Sequence, residues 1–331
     1  MKALVTGGGG FLGKAIVRQL LDQGWEVSSI ARGDYPELRK MGAETIRGDI
    51  ADPAVVDEAV KGCDVVFHVA AKAGVWGPFE SYYQANVVGT KNILDACRAH
   101  GVGRLVYTSS PSVVYGDEPL EGVDESVPYP ASYLAAYPET KAEAERMVLE
   151  ANSETLKTVS LRPHLIWGPG DNHLVPRIVE RARLGKLKKV GDGKALVDSV
   201  YIDDAARAHL LAAKALKETG APAGKAYFIT QDEPVSVGDL IDQILQSGGL
   251  EPVKAHVPAK VAYGVGWAME TVYKALKKEE EPLMTRFVAK QLSTAHYFDI
   301  SAAKRDLGYE PELTIAEGME RLGTWIREEL I

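Results

Sequence analysis

In the stretch ASYLAAYPETKAEAER a phenol and a primary amine, Tyr137 and Lys141, stand four residues apart. On a helix that spacing puts both on one face, and Pro138 between them is tolerated in a first turn, where there is no N–H partner to lose. A phenol titrates near ~10, and a neighbouring ammonium favours its ionised form. Such a pair can pass a proton to or from an alcohol or carbonyl oxygen near neutral pH. A third group would steady that oxygen as charge develops on it. The run RLVYTSSPSVVYG offers four hydroxyls, Thr108, Ser109, Ser110 and Ser112, at the end of a strand-like segment, where ligands gather in parallel sheets. Ser110 is the preferred donor and Ser109 the second choice, since Ser109 can pair with backbone instead.

Something must hold these groups against a reacting partner, and the sequence supplies a frame. Short β-branched runs (KALVT, EVSSI, DVVFHV, RLVYTSS, TVSLRP) alternate with helix-period segments such as FLGKAIVRQLLDQG and YYQANVVGTKNILDACRAHG. That alternation predicts an α/β fold: a doubly wound parallel sheet (Rossmann) covered on both faces. The first strand runs into TGGGGFLG, so Gly8-x-Gly10-x-x-Gly13 sits between a strand and a helix. Glycine lets the backbone turn tightly and approach a pyrophosphate, while the helix that starts near Phe11 offers free N–H groups to the anion. No requirement for Gly9 is evident. At the end of the second strand an acid would hold the adenosine ribose of NAD, but Ala31 and Arg32 stand there. Arg32 offers a fork of donors to a 2′-phosphate, which favours NADP(H) and leaves NAD(H) possible. Asp49, after the third strand, could hold the adenine amino group or cap the next helix, a role Asp52 could also serve.

The bulk properties fit that picture. The chain has 331 residues, enough for one large core and a smaller second unit, with 46% hydrophobic and 25% charged residues. A net charge of -8 gives no footprint for phosphate backbones, so nucleic acid is not expected as a partner. Two cysteines, Cys63 and Cys97, lack metal-ligand spacing and suit a reducing cytoplasm. The start of the chain, with only Lys2 before an apolar strand, is not expected to act as a secretory signal. The apolar stretch KVAYGVGWAMETVYKALKK is closed by charges short of the ~20 residues that span a bilayer, and is expected to be a substrate-domain helix. His68 and His173 are read as core and loop residues, and no metal is assigned. After WGPGDNHLVP the pattern becomes irregular, with a strand-like LVDSVYIDD and shorter helices. The expected division is 1–170 with 196–230 as the nucleotide-binding unit, and 171–195 with 231–331 as a smaller α+β substrate unit.

Taken in chain order, Thr6 to Gly13, NVVGTKNILDA from Asn86, YTSS, Tyr137-x-x-x-Lys141, LRP at Arg162-Pro163 and YIDDAARAH resemble the extended short-chain dehydrogenase/reductases. AKAGVWG from Ala71, RPHLIWGPGD, VPRIVERAR and EPLMTRFVAKQLSTAHYFD are most similar to its 3β-hydroxysteroid dehydrogenase-related branch. The resemblance implies that Tyr137 is the proton donor and acceptor, Lys141 binds the nicotinamide ribose and Ser110 steadies the substrate oxygen. It implies cofactor contacts at Ala70, Ala71, Lys72, Lys141, Pro163 and His164, although His164 departs from the smaller residue expected after RP; with those expected at Gly7, Gly10, Phe11, Leu12, Gly13, Arg32, Asp49 and Ile50 they complete the nucleotide site. The implied reaction is NADPH-dependent reduction of the 3-oxo group of a hydrophobic 2-alkyl-3-oxo acid. Oxidation of a 3β-hydroxysteroid is the alternative substrate, a non-catalytic NADP sensor the alternative class, and sugar-nucleotide chemistry a further one. Two of Trp76, Tyr82, Tyr83 and Trp167 are expected to line an apolar pocket. The helices from Tyr82 and from Pro138 are those through which such proteins form homodimers.

Overall fold

The computed structural model describes residues 1–331. Seven strands form the main sheet: β1 (Lys2–Thr6), β2 (Glu26–Ala31), β3 (Glu44–Arg47), β4 (Val65–His68), β5 (Arg104–Thr108), β6 (Lys157–Pro163) and β7 (Lys225–Ile229). Their spatial order is β7-β6-β5-β4-β1-β2-β3 and every pairing is parallel. These strands read as unbroken apolar runs because both faces are covered. In β1, Ala3 and Val5 enter one core and Leu4 the other. The strand order reverses beside β1, so a crevice opens between the carboxyl ends of β1 and β4, the place where open α/β sheets bind ligands.

On one face, helix Phe11–Asp22 packs against Ile202–Glu218. The latter buries six alanines, Ala205, Ala206, Ala208, Ala212, Ala213 and Ala215, and small side chains let the two backbones approach closely. On the other face, Pro53–Val60 packs on Gly89–Ala99, and Ala136–Glu150 lies against β6. The helical run from Phe79 to Ala99 is continuous but widens into a π-helical turn over Gln84–Val88.

A second, four-stranded sheet joins Val235–Ser236, Leu196–Val197, His296–Phe298 and Leu120–Val123 in that order. Leu120–Val123 and Leu196–Val197 were expected within the nucleotide-binding unit, yet they pair with strands of the smaller one. The strand-like LVDSVYIDD is also broken: Val200–Tyr201 pairs with Ile166–Trp167, and a helix begins at Ile202. Asp203 and Asp204 therefore occupy its first turn, where carboxylates meet the positive end of the helix dipole.

Candidate active site

The glycine loop lies at the β1 end of the crevice. Gly7 has φ +71, and a Cβ at Gly13 would stand 2.2 Å from the Gly7 carbonyl oxygen, so the close packing of loop on helix needs glycine at both positions. Gly10 precedes the helix and supplies no side-chain cap, which leaves the first-turn N–H groups free for an anion. Gly9, whose requirement is not evident from its neighbours in the chain, lies under the Tyr35 ring; a Cβ there would be 2.4 Å from it. These features fit a dinucleotide pyrophosphate. At the β2 edge, Ala31 pairs in register with Arg47. The Arg47 Nε donates to the Arg32 backbone carbonyl at 3.2 Å, so a second arginine stands beside this edge where only Arg32 was expected.

The floor of the crevice is a chain of hydrogen bonds. Thr6 Oγ1 accepts from the N–H groups of Val69 and Ala70, both at 3.0 Å, which fills its lone pairs. It must then donate to His68 Nδ1, 2.8 Å away. Thr90 donates to the Asn86 carbonyl and so accepts from His68 Nε2. His68 is therefore a neutral, Nε2-protonated core imidazole, and burial with the Lys141 charge nearby lowers its pKa to about 3. Asn86, inside the π turn, accepts from the Lys72 N–H at 2.7 Å, donates to the Lys72 carbonyl, and donates to Thr140 Oγ1 at 3.0 Å. One side chain thus clamps the β4 loop to the helix that carries Tyr137.

That helix, Ala136–Glu150, presents Tyr137, Lys141 and Glu145 at successive turns. Lys141 is buried, donates to the Thr108 carbonyl at 2.6 Å and lies over the Tyr107 ring at 4.1 Å. Burial pushes its ammonium down to about 7, with Glu145 opposing that shift. Burial raises the Tyr137 phenol above its ordinary value, and a hydrogen bond with Ser110 pulls the other way. Ser110 Oγ is half-buried, 2.9 Å from Ser112 Oγ, and caps the short helix Pro111–Val114. Ser109 is deeper, its N–H donating to the Leu161 carbonyl at 2.6 Å. The Thr108 hydroxyl is spent on buried His209.

Tyr137, Lys141, Ser109 and Ser110 line one cleft of about 500 Å³ together with Gly7, Gly10, Phe11, Leu12, Gly13, Arg32, Asp49, Ile50, Ala70, Ala71, Lys72 and Pro163. The capping alternative for Asp49 falls to Asp52, which accepts from Ala54 N–H, while Asp49 accepts only from Ala51 N–H at the cleft wall. His164 is the correction: it is not part of the cleft wall. Along an extended strand successive side chains alternate faces, so Pro163 meets the cleft and His164 turns to the opposite side. There it pairs with the Tyr115 hydroxyl at 2.9 Å and packs edge-on against His296 and Phe298.

Two grooves flank the start of the Tyr137 helix. One, about 390 Å³, is walled by Tyr115, Tyr129, Tyr133, Leu134, Phe287 and His296. The other, about 610 Å³, is walled by Trp76, Phe79, Tyr82, Leu134, Tyr273 and Phe287. Of the four aromatics weighed in the sequence, Trp76 and Tyr82 line a groove, Tyr83 stacks on Phe79, and Trp167 is fully buried with its indole on Ser199.

Residues 4–259 match the model of the 3-beta hydroxysteroid dehydrogenase/isomerase family. The chain belongs to that family. It is 53% identical over 328 residues to 2-alkyl-3-oxoalkanoate reductase of Shewanella oneidensis, covering 97% of this chain and 85% of the relative. It is 52% identical to the Stenotrophomonas maltophilia protein of the same name, covering 97% and 98%. Mouse sterol-4-alpha-carboxylate 3-dehydrogenase, decarboxylating, is 35% identical, covering 97% and 89%. Among solved structures, MoeE5 in complex with UDP-glucose and NAD superposes over the full length of both chains with a TM-score of 0.78 and 26% identity. The protein is an oxidoreductase of the extended short-chain dehydrogenase/reductase type, and no helix in it is long and apolar enough to cross a membrane.

Proposed function

We propose that the protein interconverts a hydrophobic 2-alkyl-3-oxo acid and the corresponding 3-hydroxy acid, using NADP(H). The observation that carries the reading is the convergence of Tyr137, Lys141 and Ser110 on a cleft whose other end is the glycine cradle. Two relatives more than half identical along almost the whole chain and named for that substrate support it. A bound nicotinamide supplies or takes the hydride. Tyr137 passes its hydroxyl proton to the oxo oxygen, Ser110 donates a hydrogen bond to the same oxygen, and protonated Lys141 lowers the cost of leaving Tyr137 ionised. Lys141 is also the residue to which we assign the ribose hydroxyls. Ala31 leaves no carboxylate to repel a 2′-phosphate, and Arg32 with Arg47 supplies donors for one. The two aromatic grooves offer apolar walls for hydrocarbon chains.

The sterol relative's name supports a second substrate, a rigid ring system carrying a 3-hydroxyl. A panel decides between them: 2-alkyl-3-hydroxy acids and 3β-hydroxysterols, each with NADP⁺ and NAD⁺, followed by cofactor absorbance. Turnover is expected with the acids and NADP⁺, and Tyr137→Phe should lose about 10²–10⁴-fold in kcat while keeping its affinity for the nucleotide. Failure of every alcohol and ketone to react, with the nucleotide tightly bound, would point instead to a sensor. An undiminished Tyr137→Phe variant would remove Tyr137 from the mechanism.

A further inference from the structure

The cleft that holds Tyr137 is lined by three basic side chains, Lys141, Arg32 and Lys72, and two have evident work. Lys141 is committed to the Thr108 carbonyl below the reaction centre, and Arg32 stands at the β2 edge beside Arg47, the far end of the cleft. The third is Lys72. Its ammonium donates to Ser81 Oγ at 2.6 Å and lies 4.7 Å from the centre of the Tyr82 ring. No carboxylate stands within the 4.0 Å of an ion pair with it: Glu281, on the Tyr82 side, is paired with Arg177, and Lys290 is paired with Asp117. Ser81, which in turn donates to the Pro78 carbonyl, is a neutral hydroxyl and leaves the charge uncompensated. A half-buried ammonium with donors to spare and no counter-ion is set to receive an anion.

Its place in the site follows from Asn86. That side chain grips both the N–H and the carbonyl of Lys72 and reaches Thr140, whose hydroxyl donates back to the Ala136 and Tyr137 carbonyls. The Lys72 backbone is therefore tied, through one side chain, to the turn that carries the phenol. The names of the relatives supply the missing anion. In a 2-alkyl-3-oxoalkanoate and in a sterol-4-carboxylate handled at its 3-position, a carboxylate sits on the carbon next to the one that bears the reacting oxygen.

Resting on the function proposed above, we infer that the Lys72 ammonium binds the substrate's carboxylate and makes the protein selective for 3-oxo and 3-hydroxy acids over neutral ketones and alcohols. Tyr82 and Ser81 hold the ammonium in place, and Asn86 is a positioning residue that sets the backbone from which it projects. The oxygen on C3 is then presented to Tyr137 and Ser110 with the acid arm pinned on the β4 side.

The test compares a 2-alkyl-3-hydroxy acid with the secondary alcohol of the same carbon skeleton lacking the carboxyl group, both oxidised with NADP⁺. The wild type should prefer the acid in kcat/KM. Lys72→Met, which keeps the alkyl stem over Tyr82, should lower that preference by about 10–100-fold, chiefly through KM of the acid, and Lys72→Arg should restore part of it. NADPH affinity, measured by fluorescence titration, separates the roles. A Lys72→Met variant with an unaltered acid-to-alcohol preference overturns the inference and leaves the reductase reading standing. So does one whose only defect is weaker NADPH binding, which would assign the ammonium to the nucleotide. Inability of the wild type to oxidise any 3-hydroxy acid overturns both, and is seen before any variant is made.

Discussion

Glu145→Gln tests how the site is supported from below. Glu145 is fully buried; its carboxylate accepts from Tyr129 and Ser160, each at 2.7 Å, and from Arg162 Nη2 at 2.7 Å and Nε at 3.1 and 3.2 Å. Arg162 is only 3% exposed. Burial works to raise the Glu145 carboxyl, and the Arg162 guanidinium outweighs it, so the group stays ionised below its ordinary range. Glutamine keeps the shape and strands the buried guanidinium, a loss of ~3–5 kcal/mol. With unfolding entropy of roughly 2.1 cal/mol/K per residue, a chain of 331 residues should lose about 4–7 °C in Tm by scanning calorimetry. The same change removes the one influence that raises Lys141. Its ammonium, already at about 7 in the wild type, should titrate lower still, so fewer molecules carry the charge that eases ionisation of Tyr137. The alkaline limb of the pH profile of kcat/KM should therefore move to lower pH. A Tm within ~1 °C of wild type would refute the energetic argument, and a drop in Tm with an unmoved limb would reduce Glu145 to a structural role.

Three further outcomes follow from the same geometry. Arg32→Ala and Arg47→Ala should each weaken NADPH binding by about 10-fold or more, the worth of a charge-assisted hydrogen bond, and narrow the NADPH-to-NADH ratio; an unchanged ratio in the double variant would place phosphate recognition elsewhere. Gly13→Ala should abolish nucleotide binding in a fluorescence titration, because the added carbon meets backbone at 2.2 Å, whereas the nearest atoms to a carbon added at Gly9 belong to the Tyr35 ring, so Gly9→Ala should be rescued by Tyr35→Ala; a Gly9 defect that persists in the double variant would refute that account. Asp198 is buried, and burial raises its carboxyl to about 7, so between ~4 and ~7 the folded state holds a proton that the unfolded chain has lost. Stability from this residue is present at low pH and falls as pH rises through that window, so Asp198→Asn should gain on the wild type with rising pH, by up to ~4 kcal/mol at pH 8 from the ~1.4 kcal/mol carried by each pKa unit; parallel stability curves for the two proteins would show that Asp198 does not titrate there.

What could be read from the chain alone was whatever one element encodes by its own period. Tyr137 and Lys141 reach one cleft because a helix brings residues four apart to the same face, and Gly7 and Gly13 are needed because a strand, a turn and a helix follow within a few positions. His164 failed where that logic was set aside: a strand alternates its faces, so the residue after cleft-facing Pro163 had to point away, into Tyr115 and His296. The remaining features depend on partners far off in sequence. Gly9 is required by Tyr35, Arg47 joins Arg32 through the pairing of β2 with β3, and Glu145 is held ionised by Arg162 from another strand. Asn86 did leave a local trace, an amide inside an apolar helical run, where such a side chain disfavours the regular helix unless a partner engages it. The π turn is where that trace becomes structure. It lets one amide face the β4 loop and the Tyr137 helix at once, and so ties the backbone that carries Lys72 to the turn that carries the phenol.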